Sequence, residues 1–75
     1  MITVQLAIEI NEEMERAMAK WGTIDETPRE MTNAVAEELL EVIHAVNHRK
    51  PYETIHTEII QAIGVLLRLD ALAKG

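Results

Sequence analysis

The 75-residue chain contains no cysteine. Disulfide scaffolds, thiolate zinc sites and thiol chemistry are therefore excluded. It has no phenylalanine, and Trp21 and Tyr52 are its only large aromatics. The core must come from Ile, Leu, Val, Ala and Met, a composition that suits helices. Basic residues are scarce, seven against thirteen acids, for a net charge of -6. A protein that grips nucleic acid by neutralising phosphates needs a basic surface, so no nucleic-acid partner is expected. Long apolar runs are also missing. The longest, Ala62 to Leu67, stops at Arg68, far short of the roughly 20 residues that span a bilayer. Met1-Ile2-Thr3-Val4-Gln5 carries neither the basic start nor the apolar run of a signal peptide. No membrane partner is expected, and the expected compartment is the cytoplasm.

What remains reads as one all-α domain over residues 1–75. The two prolines and three glycines fall where three helices need breaks. Leu6, Ile10, Met14 and Met18 recur every fourth residue, with Ile8 and Ala17 beside them and Glu9, Glu12, Glu13 and Arg16 on other faces, and predict an amphipathic helix from about Thr3 to Lys20. Gly22 follows as a candidate left-handed cap. Thr27-Pro28-Arg29-Glu30 is a capping box with proline at the first helical position. It opens a second helix that runs to about Asn47 or His48, with Met31, Val35, Leu39, Leu40, Val42, Ile43 and Val46 as its apolar positions. His48-Arg49-Lys50 suits a helix C-terminus, and Pro51 can open a third helix ending near Ala73. That helix carries Ile55, Ile59, Ile60, Ala62, Ile63, Leu66, Leu67, Leu69 and Leu72, more apolar surface than one neighbour covers. The excess around Ile59, Ile63, Leu66 and Leu67 predicts a homo-oligomer, because a core this small is marginal alone.

Acids sit inside these apolar stretches. Glu38 and Glu41 are three apart and share a helix face, and Glu58 and Gln61 repeat the spacing. A short connection makes the second and third helices antiparallel neighbours. With the turn near Arg49 and Lys50, Glu38 lies level with Gln61, and Glu41 with Glu58. Three carboxylates and an amide at one depth repel one another unless a cation intervenes. Oxygen ligands of this kind suit Mg²⁺ or Mn²⁺.

These residues resemble the MazG-like, all-α nucleoside triphosphate pyrophosphohydrolases. Glu37-Glu38-Leu39-Leu40-Glu41 is similar to that family's E-E-x-x-E motif. Glu58-Ile59-Ile60-Gln61 is similar to its E-x-x-D motif, with Gln in place of the usual Asp. Glu15-Arg16 and Lys20-Trp21-Gly22 look like the E-R-x-x-x-K-W-G segment of phage-type members, some of which carry E-x-x-Q. The resemblance implies a three-helix unit that completes a helical bundle as a homodimer or homotetramer, without the fourth helix of longer members. It implies Mg²⁺ or Mn²⁺ on Glu38, Glu41, Glu58 and Gln61, with Glu37 either supporting those ligands or orienting water. It implies hydrolysis of a nucleoside triphosphate to a monophosphate and pyrophosphate. Lys20 would meet phosphate and Trp21 would stack on the base.

Two other readings compete. Glu41-Val42-Ile43-His44 and Glu53-Thr54-Ile55-His56 are both E-x-x-H, as in di-iron bundles. Their levels in the hairpin do not match, however. His44 is expected at a helix edge, and His48 and His56 in solvent. The main alternative is a non-catalytic helical oligomerisation or regulatory protein that lost activity with the Asp.

Overall fold

The computed structural model describes residues 2–21 and 26–75, apart from the side chains of residues 20 and 21. Local signals set the helix starts. The amide of Leu6 donates to Thr3 Oγ1 at 3.1 Å, and α1 runs over Val4–Trp21. The amide of Glu30 donates to Thr27 Oγ1 at 3.2 Å, and Pro28 opens α2, Pro28–Asn47. A threonine cap of this kind contributes about 1 kcal/mol. The expected box closes differently in its second half: the Thr27 hydroxyl itself donates to Glu30 Oε1 at 2.9 Å. Pro51 occupies the position just before α3, Tyr52–Lys74. Its carbonyl accepts from the amides of Thr54 and Ile55.

The turn between α2 and α3 ends α2 without a glycine. The Arg49 amide donates to the Val46 carbonyl at 3.1 Å, and the Lys50 amide to that of Ala45 at 3.0 Å. This pair of bonds is a Schellman motif, which needs a left-handed residue at its centre. Arg49 supplies it with φ of 52°. The short turn returns α3 antiparallel along α2, as the sequence predicts. The expected cap at Gly22 lies outside the described residues.

All three elements are helices, with no strand among the described residues. No described helix is long and apolar enough to cross a membrane. The central element is α3. Both α1 and α2 pack against it, and their described backbones do not approach one another. Met31, Ala45, Ile60, Ala62 and Gly64 are buried along these two seams. At Gly64 a Cβ would stand 3.1 Å from Glu13 Cγ. The missing side chain lets α1 settle close to α3.

Several apolar positions remain uncovered. Leu39, Leu40, Ile43 and Val46 of α2 are exposed, as are Ile59, Leu66 and Leu67 of α3, while Ile63 is half-buried. The expected excess on α3 is present, and α2 carries a second stripe that its helical periodicity did not mark as uncovered. A folded monomer of this mass exposes about 4,700 Å², whereas this chain exposes 5801 Å².

The left-handed backbone at Arg49 gives a test. A side chain there costs roughly 1 kcal/mol that glycine does not incur, partly offset by the greater freedom of an unfolded glycine. Arg49→Gly should raise the melting temperature by roughly 2–5 °C. Thermal unfolding followed by circular dichroism checks it, and a lowered value would contradict the strain.

Candidate metal centre

Glu38 and Glu41 stand one turn apart on α2, and the hairpin brings Glu58 of α3 opposite them. One carboxylate oxygen from each lies within 4.8 Å of the others. Glu38 and Glu58 are half-buried and Glu41 is exposed. Oε2 of Glu38 and Oε2 of Glu58 are sealed from solvent with no hydrogen-bond partner. A buried acceptor without a donor forfeits its hydration, a cost of about 1–3 kcal/mol for a neutral group and more for a charged one. Burial pushes the Glu38 carboxyl above the ordinary carboxylate range, and the charges of Glu41 and Glu58 push it further. Burial also raises Glu58, and the adjacent Glu41 carboxylate raises it further.

The arginine across from Glu38 does not relieve this repulsion. Arg16 faces Glu38 across a cleft of about 390 Å³ that both residues line. Its guanidinium is already committed to Glu13, with Nε 2.9 Å from Oε2 and Nη2 2.6 Å from Oε1. That pair, more than Glu38, stabilises its charged form. Glu13 and Arg16 read from periodicity as belonging to other faces of α1. Instead they border the carboxylate centre, because α1 packs on α3 at Gly64. The i, i+3 spacing of an acid and an arginine was visible in the sequence, but not where that pair would dock.

The other sequence-predicted residues divide. Gln61 is half-buried and shares the wall of the same cleft with Glu38, as the hairpin register requires. Glu37 is exposed and borders the cleft without joining the three carboxylates. The side chains of Lys20 and Trp21 lie outside the described residues. Among the described residues the cluster contains no histidine, and the E-x-x-H pairs do not converge on it. His56 is not free in solvent. Its Nε2 bonds Glu9 of α1, and its Nδ1 meets the Tyr52 hydroxyl at 3.4 Å. The bond to His56 holds the Glu9 carboxyl below its ordinary value. His44 and His48 are exposed and stack with ring centroids 4.0 Å apart.

An all-oxygen cluster with two orphaned, buried oxygens fits a hard divalent cation. Its donors are carboxylates, no competing donor satisfies them, and their mutual repulsion is what such an ion offsets. Comparison with protein-family models, with characterised proteins and with solved structures gives no significant match. The centre therefore stands on its own geometry.

The raised carboxyls predict a pH dependence of known sign. Well below the ordinary value of 4.5, folded and unfolded chains are both protonated and the repulsion is absent. As pH rises through that value, the unfolded chain ionises first and stability is lost. Replacing Glu38 by Gln removes the Glu38 share of this loss. Without divalent ions, Glu38→Gln should match the wild type well below the ordinary carboxylate value and melt increasingly above it as pH rises toward neutrality. A gap that does not widen with pH would contradict the arrangement.

Proposed function

We propose that the chain is a Mg²⁺- or Mn²⁺-dependent nucleoside triphosphate pyrophosphohydrolase that yields a nucleoside monophosphate and pyrophosphate. The observation that carries this reading is the pair of sealed, unpartnered oxygens on Glu38 and Glu58, with Glu41 within reach of both. The resemblance of Glu37-Glu38-x-x-Glu41, Glu58-x-x-Gln61 and Lys20-Trp21-Gly22 to MazG-like enzymes supplies the reaction class. Glu38, Glu41 and Glu58 hold the ion, and Gln61 adds a neutral oxygen. A divalent ion bound there supplies positive charge for the phosphates and acidifies a coordinated water. Glu37, exposed on the cleft wall, orients the water that adds to the α-phosphorus as the bond to the pyrophosphate oxygen breaks. By the same resemblance, Lys20 would meet phosphate as a point charge and Trp21 would stack on the base.

In this reading the unit works as a homodimer or homotetramer. The chain exposes about 1,100 Å² more than a monomer of its mass, and one partner of a standard interface buries roughly 800 Å². The uncovered stripe Leu39, Leu40, Ile43 and Val46 supports helix-on-helix assembly. It also supports the second reading, a helical oligomerisation or regulatory protein without catalysis. Gln61 favours that alternative, since an amide brings no charge to the ion.

Pyrophosphate release from a panel of nucleoside triphosphates with Mg²⁺ or Mn²⁺ separates the two readings. Activity is expected in the wild type and is expected to fall at least roughly 100-fold in Glu41→Gln, while Glu12→Gln, outside the cluster, keeps it. Equal rates in both variants would count against the centre. Gln61→Asp should lower the Mg²⁺ concentration needed for half-maximal activity. An unchanged midpoint and an unchanged rate would remove Gln61 from the site.

Sedimentation tests the assembly. The wild type should be a dimer or larger at micromolar concentration, and Ile43→Glu should weaken or abolish it. A folded wild-type monomer at that concentration would overturn the oligomer.

A further inference from the structure

The cleft beside the carboxylates is mostly apolar, although acids and arginines rim it. The chain has four methionines, and three of them, Met14, Met18 and Met31, line this one cleft. Val65 and the bare backbone at Gly64 continue the wall along α3. Thioethers are polarizable and adaptable, and they pack well against flat aromatic rings. Met18 is exposed, so part of this wall has no protein cover.

Glu13, Glu26, Glu37 and Glu38 share the cleft's walls with Arg16 and Arg68. Glu38 and Gln61 stand at its carboxylate end. Arg68 also lines it, seven residues further along α3, which is two turns or about 10 Å. Arg16 is tied to Glu13, but among the described residues Arg68 makes no ion pair. An arginine offers only donors, in a planar fork that also stacks on rings. Glu38 is the carboxylate that opens onto this cleft, so a ligand whose phosphates lie beside it can lay its organic part over the methionine wall toward Arg68. The cleft's volume of about 390 Å³ lies within the range of small-molecule sites, roughly 300–1,000 Å³.

We infer that this cleft seats the organic part of a phosphorylated ligand, its flat ring lying on the methionine wall and its far edge held by the Arg68 guanidinium. The inference rests on the proposed function for the placement of the phosphates. Where the resemblance gives the base to Trp21, the cleft gives the same ring a methionine wall and, in Arg68, a residue that reads its edge. Arg68 therefore contributes to affinity for a nucleotide and not for a bare phosphate chain.

Methionine methyl signals in a carbon-13 NMR titration test it with the full chain. The probes are nucleoside triphosphates and inorganic tripolyphosphate, each with Mg²⁺ and with chelator. Nucleotides should shift the Met14, Met18 and Met31 methyls, and tripolyphosphate should leave them nearly unmoved. Arg68→Ala should weaken nucleotide binding roughly tenfold and leave tripolyphosphate affinity unchanged. Arg68→Lys, which keeps the charge and the stem, should recover only part of that loss. Still methyls with every nucleotide, an equal loss for tripolyphosphate, or full recovery by lysine would each overturn the ring subsite. Methyl shifts that persist with chelator but respond neither to Mg²⁺ nor to Glu38→Gln would contradict the metal reading alone.

Discussion

Three carboxylates within 4.8 Å of one another are the constraint on which the rest of this structure turns. Two of them keep an oxygen out of water and without a donor. Such an arrangement is unfavourable for a chain that already carries net charge -6 and has only a small buried core. Like charges at this range disfavour ionisation, and burial adds to the effect. The helical hairpin nevertheless holds them there, because its short turn fixes the register and the apolar residues around each acid anchor the two helices. The same stored repulsion that weakens the metal-free fold favours a hard cation.

The first helix borders that centre across a cleft that all three helices line. Gly64 lets it approach, and Glu13 and Arg16 then border the cleft. Their mutual pairing leaves Glu38 without a neutralising partner. A second tie, Glu9 to His56, fastens the start of α1 to the start of α3. One helix therefore helps shape the cleft while leaving the charge of the carboxylates in place. It leaves the outer stripe of α2 uncovered, since both α1 and α2 use α3 as their partner.

Much of this was legible in the sequence for local reasons. Thr27, Pro28 and Glu30 announce the start of α2 through chemistry that acts within one turn. Glu41 and Glu58 could be matched because a short connection leaves the hairpin little freedom. The position of α1 was not legible, because an amphipathic pattern shows that a face is apolar but not which neighbour will cover it. For that reason Glu13 and Arg16 were placed on outer faces, and the link from His56 to Glu9, across 47 positions, left no local trace. Leu39 and Val46 show the same limit, since their periodicity marks a face that this chain alone does not bury. Arg49 hides its left-handed backbone because glycine, the usual sign, is absent.

If Glu38, Glu41 and Glu58 form one cation site, the Glu38 and Glu58 carboxyls must give up tightly held protons when it fills. Calorimetric titration with Mg²⁺ in two buffers of different ionisation enthalpy, slightly above the ordinary carboxylate range, measures this directly. The account predicts a single class of site per chain, with protons released on binding and the release reduced in Glu38→Gln. Binding without proton release, or with the same release in that variant, would contradict it.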